Sequence, residues 1–113
     1  MTPPTLHDVY MARERVAPHM PRSPLLRHPL LDEATGLSIW VKHENHNPTC
    51  AFKVRGGLNL VGAMTAGERA RGIVTASTGN HGQSIGLASR IHGVTRSRAA
   101  YTSCRVGGII VVI

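Results

Sequence analysis

The feature that most restricts the fold of this sequence is a short apolar run leading into a glycine-containing polar loop and then a helical pattern. Residues 72–76 (Gly-Ile-Val-Thr-Ala) read as a buried strand and run directly into residues 77–83 (Ser-Thr-Gly-Asn-His-Gly-Gln). From Gln83 to His92 the apolar residues recur at helical spacing, and Gly93 is a typical helix end. A buried strand followed closely by a helix predicts an α/β domain with parallel strand pairing.

The rest of the chain divides into short segments compatible with that fold class. Residues 6–17 have helical spacing and are closed by Pro18 and Pro21, and Thr49 can cap a helix that starts near Ala51 and stops at Gly67. We expect an extended segment at 23–27, a strand or turn-bounded loop at 29–33, a strand at 38–44 and a solvated extension at 68–71. Helix, strand, strand, helix, strand and helix then follow one another in the predicted order.

Lys53 lies in the first turn of the helix predicted after Thr49. A lysine amine forms Schiff bases when it is held in place and kept neutral, and a helix start disfavours a positive charge. Gly56 and Gly57 follow, each lowering helix propensity by about 1 kcal/mol, which suggests that another backbone packs closely there. A surface lysine beside two packing glycines accounts for this stretch equally well.

The loop at 77–83 offers groups that bind anions. A glycine between a strand and a helix lets backbone N–H groups converge at the helix start, and Ser77 and Thr78 add hydroxyl donors suited to a carboxylate or phosphate. The amide of Asn80 can donate to a phenolate-type oxygen. Serine, threonine, asparagine and glycine are also the usual residues of an ordinary helix cap, so the loop taken alone permits both interpretations.

Composition and charge argue against several other classes of protein. The formal charge is +7, but the arginines after Glu68 are dispersed and not interleaved with aromatic residues, so we expect no nucleic-acid partner. Cys50 and Cys104 form no metal or disulfide spacing, and His43 and His46 have no third ligand at zinc spacing. We find no signal peptide or bilayer-length apolar run, and we expect a cytoplasmic protein without a membrane partner.

The lysine segment and the loop together resemble the type II fold of pyridoxal-phosphate enzymes, specifically the threonine/serine dehydratase group and its serine racemase relatives. That family has a Pro-Thr-Gly-(Ser/Ala)-Phe-Lys-x-Arg-Gly segment followed by a Ser-x-Gly-Asn-His-Gly-Gln loop. Here residues 48–56 read Pro-Thr-Cys-Ala-Phe-Lys-Val-Arg-Gly, and residues 77–83 match the loop in the same order. The flanks 22–25 and 42–44 are similar too, and the resemblance covers about residues 6–94.

The resemblance implies a fold, a cofactor and a role for each motif residue. The fold would be α/β, part of the three-layer parallel sheet of the tryptophan-synthase-β-like fold, and the cofactor would be pyridoxal 5′-phosphate. By this resemblance Lys53 would be the catalytic residue and hold the cofactor as a Schiff base, with Phe52 near its ring and Asn80 bonded to its 3′-oxygen. The loop would bind the carboxylate of a small amino-acid substrate through Ser77, Thr78, Gly79, Asn80 and His81.

The reaction implied is β-elimination from threonine or serine, which gives a 2-oxo acid and ammonia. Full-length relatives in this family would be homo-oligomers. Two departures stand out: Cys50 replaces a family glycine, a change we expect a small buried residue to tolerate, and Thr78 replaces the serine base of racemases and so favours a lyase.

The resemblance also divides the chain. Residues 1–47 would pack on the large domain of the full enzyme, and residues 48–94 would begin the small domain. Residues 95–113 form an atypical tail, with 109–113 as an unpaired or edge strand, and we hypothesise a truncated or frame-shifted copy. The family's phosphate loop is not found in this sequence. A racemase, or a non-catalytic fragment that binds a partner, therefore remains an alternative.

Overall fold

The computed structural model describes residues 2–77, 79–101 and 110–112. Its elements follow in the order α1 (Leu6–Val16), β1 (Leu25–Arg27), α2 (Pro29–Thr35), β2 (Trp40–Lys42), α3 (Lys53–Ala63), α4 (Ala66–Arg71), β3 (Ile73–Ser77), α5 (Asn80–Ile91), β4 (Ser97–Tyr101) and β5 (Ile110–Val112). Short 3₁₀ turns at Ala17–His19 and Glu44–His46 follow α1 and β2. Within the described ranges, no helix is long and apolar enough to cross a bilayer.

The core lies where α3 packs against α5, with α1 lying across α3. It contains side chains that recur at helical spacing in the sequence: Val54, Leu58 and Val61 from α3, Ile85 and Ala88 from α5, together with Val16, Met20 and Val94. Each fully buried aliphatic side chain of this kind contributes about 1.5–3 kcal/mol. The two sequence motifs are therefore connected through the packed helix pair, since Lys53 begins α3 and Asn80 begins α5.

The described strands form two small sheets, of which the one containing β3 and β4 contacts α5. Strands β3 and β4 run parallel, with Ile73 opposite Ser97 and Ser77 opposite Tyr101, and α5 is the connection between them. Strand β5 joins the free side of β4 in antiparallel orientation, and β1 pairs antiparallel with β2. The predicted α/β class with parallel pairing is confirmed. Strand β5 lies at the edge of its sheet, as predicted for part of 109–113.

Several local predictions are wrong, beginning with residues 29–33, which form helix α2 rather than a strand or loop. Pro29 occupies the first helical position, where its missing N–H is not needed, and Gly36 ends the helix with φ +70°. The helix predicted to run to Gly67 ends at Ala63, and a new helix, α4, follows. The side chains of Thr65 and Glu68 each accept a hydrogen bond from the other's backbone N–H, a capping box that starts α4.

The strands also differ from expectation. Strand β3 was expected to be buried, but its residues alternate between half-buried and exposed, and the Val74 side chain is 79% exposed. The cause is that α5 covers only one face of β3 among the described residues. Strand β4 was not expected, because Ser97 and Arg98 do not give an apolar strand pattern.

Candidate active site

Lys53 is the first residue of α3, two residues later than the predicted helix start. Its Nζ lies 5.9 Å from the centroid of the Phe52 ring, and both side chains are exposed to solvent. Nζ makes no hydrogen bond within the described part of the chain. The side chain of Lys53 is therefore an accessible amine whose position depends on the backbone that carries it.

The turn before Lys53 is held by Asn47, which is 3% exposed. The Asn47 backbone oxygen accepts from the Cys50 N–H at 2.7 Å, and Asn47 Nδ2 donates to the Ala51 oxygen at 3.3 Å. Thr49 does not cap α3, contrary to prediction; its Oγ1 is buried without a hydrogen-bond partner, and Phe52 occupies the cap position without a side-chain cap. The start of α3 is fixed by the turn rather than by a cap.

Cys50 adopts φ +52°, a left-handed conformation that costs a non-glycine residue roughly 1–2 kcal/mol. This conformation explains why a glycine suits the position. The cysteine is exposed, so the expectation of a small buried residue is wrong. Its thiol is free in this structure.

Glu44 collects hydrogen bonds from three residues around the lysine segment. Its carboxylate accepts from Arg55 Nε at 2.7 Å and Nη2 at 3.0 Å, from Ser23 Oγ at 2.6 Å and from Asn47 Nδ2 at 2.6 Å. The hydrogen bonds from Arg55 are the largest cause that lowers the pKa of Glu44 from 4.5 to about 2. Glu44 and Arg55 thus form a two-pronged ion pair that joins the turn after β2 to the first turn of α3.

The predicted loop, residues 77–83, includes the last residue of β3 and the first turn of α5, which begins at Asn80 rather than at the predicted Gln83. Ser77 ends β3, Gly79 is the cap residue of α5, and Asn80 and His81 are the first two residues of that helix. The Gly79 N–H donates to Ser77 Oγ at 3.1 Å, while the Asn80 side chain is exposed and His81 half-buried. Thr78 lies outside the described residues. No side chain caps the start of α5 among those described, and an uncapped helix start is a type of site that binds anions.

One of the contacts between α3 and α5 connects the two motif regions, and it is made by small residues at the helix interface. Ser84 Oγ donates to the Lys53 backbone oxygen at 2.6 Å, and Ser84 is fully buried. A Cβ built on Gly57 would lie 2.7 Å from the Ser84 backbone oxygen and would also overlap the Ser84 hydroxyl. The predicted close backbone approach is confirmed at Gly57 and wrong at Gly56, where a Cβ would meet nothing within 4 Å.

A groove of about 670 Å³ lies elsewhere, between α1, β2 and α3. It is lined by Val16 and Met20 on its apolar side and by Lys42, Glu44 and Arg55 on its polar side. Lys53 and Asn80 do not line it. Lys53 and Asn80 are instead exposed outside this groove, whose polar side includes the Glu44–Arg55 pair.

The two motif regions contain groups that suit an aldehyde-bearing, anionic cofactor. They are an accessible amine at Lys53, an exposed aromatic ring at Phe52, an exposed amide at Asn80 and the start of α5, which has no side-chain cap among the described residues. Thr49 Oγ1, buried without a partner four residues before the amine, adds an unsatisfied polar atom. An aldehyde requires an amine as its nucleophile. A phenolate oxygen and a carboxylate require hydrogen-bond donors, which an amide side chain and a helix start can supply.

Comparison with known proteins assigns the class. A family model described as pyridoxal-phosphate dependent enzyme matches residues 16–103, and this chain belongs to that family. The match extends nine residues beyond Val94 and includes β4. Pyridoxal phosphate is the cofactor of this family, as the sequence predicts.

Individual relatives agree with this assignment. The chain is 37% identical over 91 residues to beta-hydroxyaspartate dehydratase of Paracoccus denitrificans (strain Pd 1222), covering 80% of this chain and 29% of that protein. It is 39% identical over 90 residues to L-threonine ammonia-lyase of Thermotoga maritima, covering 80% of this chain and 22% of that protein. The crystal structure of serine racemase from Dictyostelium discoideum superposes with a TM-score of 0.78 at 33% sequence identity. The match covers 82% of this chain and 30% of the racemase chain.

These relatives confirm the predicted resemblance to the threonine/serine dehydratase group. The chain spans less than a third of the length of each. Sequence reasoning missed two residues of the site, Ser84 and Glu44. A signal for Glu44 was present, since this acidic residue precedes the lysine segment, and the segment itself contains a basic residue, Arg55, of opposite charge.

Proposed function

We propose that this chain is the lysine-bearing part of a pyridoxal-phosphate-dependent lyase that removes water and the amino group from threonine or serine, giving a 2-oxo acid and ammonia. The observation that carries the proposal is the hydrogen bond from Ser84 to the Lys53 backbone oxygen, because it holds the Lys53 backbone against α5, the helix whose first two residues, Asn80 and His81, belong to the second motif. The chain spans less than a third of its relatives, so its activity is itself part of the proposal.

Each motif residue receives a role in this proposal. Lys53 Nζ would hold the cofactor covalently and, once released by the substrate, take the proton from the substrate Cα. Asn80 would hydrogen-bond the pyridine 3′-oxygen, and Phe52 would lie against the ring. Ser77, Thr78, Gly79, Asn80 and His81 would hold the substrate carboxylate. When bound, pyridoxal phosphate supplies an aldehyde for amines and a ring that withdraws electrons from the substrate Cα.

We also propose that residues 1–47 pack on the larger domain of a full enzyme and that residues 48–94 begin the smaller domain. Support comes from large apolar side chains that the described part of the first segment leaves exposed, among them Leu6, Leu30 and Trp40. Such a surface is unusual for a free-standing domain and suits a buried interface.

Racemisation of a hydroxy amino acid is the second candidate, and the similarity to the serine racemase structure favours it. Both reactions begin with removal of the Cα proton by the same lysine amine, so Lys53 does not separate them. The products distinguish the two reactions, because a lyase releases a 2-oxo acid whereas a racemase converts L-serine to D-serine. Assay of both products from L-serine and L-threonine distinguishes the two candidates.

The lysine assignment can be tested on the chain itself, because it contains only two lysines, Lys42 and Lys53. The chain is titrated with pyridoxal phosphate, followed by visible absorbance, then reduced with borohydride and peptide-mapped. We expect a saturable absorbance change and a pyridoxyl group on Lys53, lost in Lys53→Ala and retained in Lys42→Ala. Equal labelling of both lysines, or a change that survives Lys53→Ala, would instead support a non-catalytic fragment.

A further inference from the structure

We propose that Glu44 is the positioning residue for Lys53: it holds the backbone on both sides of the lysine and thereby fixes where the amine points. This inference rests on the proposed role of Lys53 as the cofactor lysine. Glu44 itself touches neither cofactor nor substrate in the proposal and acts only through the lysine segment.

The contacts of Glu44 reach residues on both sides of the lysine in the sequence. On one side, Asn47 Nδ2 donates both to Glu44 Oε2 at 2.6 Å and to the Ala51 oxygen at 3.3 Å, two residues before Lys53. On the other side, Arg55 donates two hydrogen bonds to Glu44, two residues after Lys53. Residues 51–55 are therefore tied at both ends to one carboxylate.

Lys53 depends on this support because little else fixes it. Nζ has no hydrogen-bond partner in the described chain, and no side chain caps the start of α3. The Ser84 hydroxyl holds the Lys53 carbonyl oxygen but not the preceding turn, where Cys50 adopts φ +52°. A strained turn persists only when its surroundings hold it, and Glu44 supplies that hold through Asn47.

The chemistry of the site requires a carboxylate at position 44. All of its partners donate: Ser23 Oγ and Arg55 Nη2 to Oε1, and Asn47 Nδ2 and Arg55 Nε to Oε2. A glutamine would place an NH₂ group against two donors. Turning the Asn47 amide around would satisfy that NH₂ but would remove the hydrogen bond to Ala51. Glu44→Gln changes the size of the side chain very little, but it is incompatible with the full set of hydrogen bonds at position 44.

The chain contains a matched control, the ion pair of Arg27 and Asp32. Asp32 Oδ2 accepts from Arg27 Nε at 2.6 Å, and Oδ1 accepts from the Ile39 N–H at 2.6 Å. The Asp32 and Glu44 side chains are similarly covered, at 16% and 21% exposed. Asp32→Asn removes a comparable ion pair that has no contact with residues 51–55.

The first readout is covalent labelling of Lys53 by pyridoxal phosphate and borohydride, with Lys42 as internal reference. We expect Glu44→Gln to lower the Lys53-to-Lys42 labelling ratio about tenfold or more, since small displacements of a reacting group cost one to two orders of magnitude in rate. Asp32→Asn should leave the ratio unchanged. Arg55→Lys keeps the positive charge but cannot form the same pair of hydrogen bonds to Glu44, and it should give an intermediate labelling ratio.

The second readout needs no cofactor: hydrogen exchange of the backbone amides of residues 51–55, compared with Ile85 in the core. Glu44→Gln should speed exchange at 51–55 and leave Ile85 protected, whereas a purely structural loss would speed exchange at both. Unchanged exchange at 51–55, or a labelling ratio that falls no further than in Asp32→Asn, would overturn the inference.

The two proposals can fail separately. If the wild-type chain shows no preference for Lys53, the cofactor role of Lys53 fails, and hydrogen exchange at 51–55 still decides whether Glu44 holds the segment. If Glu44→Gln does not fold, Arg55→Lys takes its place, and wild-type labelling and exchange in that variant would overturn the inference.

Discussion

The hydroxyl of Ser84 donates a 2.6 Å hydrogen bond to the backbone carbonyl oxygen of Lys53, across the interface where α3 and α5 pack together. These two residues are 31 positions apart: Lys53 lies in the first motif, and Ser84 directly follows the second motif, residues 77–83. Their contact holds the backbone of Lys53 against the helix that begins with Asn80 and His81. The relation between the motifs is therefore built into the helix pair that also forms the core.

Removing the Ser84 hydroxyl should weaken this junction. Ser84→Ala leaves the Lys53 oxygen without its side-chain donor in a fully buried place, and we expect the free energy of unfolding to fall by about 1 kcal/mol. Urea denaturation followed by far-UV circular dichroism measures the change.

Ser89 provides the control on the same helix. It is 1% exposed, but its Oγ has no hydrogen-bond partner among the described atoms. Ser89→Ala removes a buried unsatisfied hydroxyl, so it should be neutral or stabilising. Equal destabilisation by the two substitutions would show that the Ser84–Lys53 hydrogen bond contributes nothing specific.

Neighbouring glycines in α3 should respond in opposite directions to alanine. Gly57→Ala places a Cβ 2.7 Å from the Ser84 backbone oxygen, so the helices must separate, at a cost of about 1–3 kcal/mol. Gly56→Ala meets nothing within 4 Å and should stabilise the exposed helix by up to about 1 kcal/mol. Urea midpoints of the two variants against wild type test this; a tolerated Gly57→Ala would mean that α3 and α5 are not in this contact.

The sequence predicted the elements whose pattern is local. The helices at α1 and α5 and the strand at β3 follow from residue spacing over one short window. Helix α2 was missed because its signals, Pro29 at the first position and Gly36 at the end, bracket only seven residues. The exposure of Val74 could not be predicted, because burial of a strand depends on what covers its faces.

The candidate site was predicted as two motifs but not as one arrangement. Order and spacing indicated Lys53 and the Ser77–His81 loop. The contacts that fix Lys53 come from Ser84, 31 residues later, and from Glu44, which bonds to Ser23 and Arg55 at separations of 21 and 11 residues. A hydroxyl at such a distance in the sequence carries no local pattern, so its partner becomes visible only in the folded chain.

Replacing Cys50 by glycine should stabilise the chain. Cysteine at φ +52° is strained, whereas glycine adopts this conformation freely, and we expect a gain of about 1 kcal/mol. Cys50→Ala removes the thiol but keeps a Cβ and serves as the control; it should be close to wild type. If alanine stabilises the chain as much as glycine does in urea denaturation, the thiol rather than the backbone is responsible.

The stability of the chain should also decrease in mildly acidic solution because of His92. Burial lowers the pKa of His92 from 6.5, and the nearby positive charges of His19 and Arg69 lower it further. The imidazole rings of His19 and His92 meet edge to face, with centroids 5.2 Å apart, and His92 Nε2 is buried without a partner. The folded chain therefore holds this ring in its neutral form more strongly than the unfolded chain does.

The sign of the effect follows from proton binding. Below about pH 6.5 the unfolded chain binds a proton at His92 that the folded chain resists, so acid favours unfolding. The stabilising contribution is complete above this pH and is lost as the pH falls through the lower folded pKa. Glu44 contributes in the same direction only below about pH 4.5, because its pKa is lowered to about 2.

Urea denaturation at pH 7.5, 6.5 and 5.5 measures the effect of His92 on the free energy of unfolding without a contribution from Glu44, since these pH values lie above the range in which Glu44 titrates. We expect the free energy of unfolding to fall with pH in the wild-type chain and to depend less on pH in His92→Gln, which cannot titrate. His7→Gln, a change at an exposed histidine in α1, is the control and should keep the wild-type dependence. An unchanged pH dependence in His92→Gln would show that another group controls stability in this range.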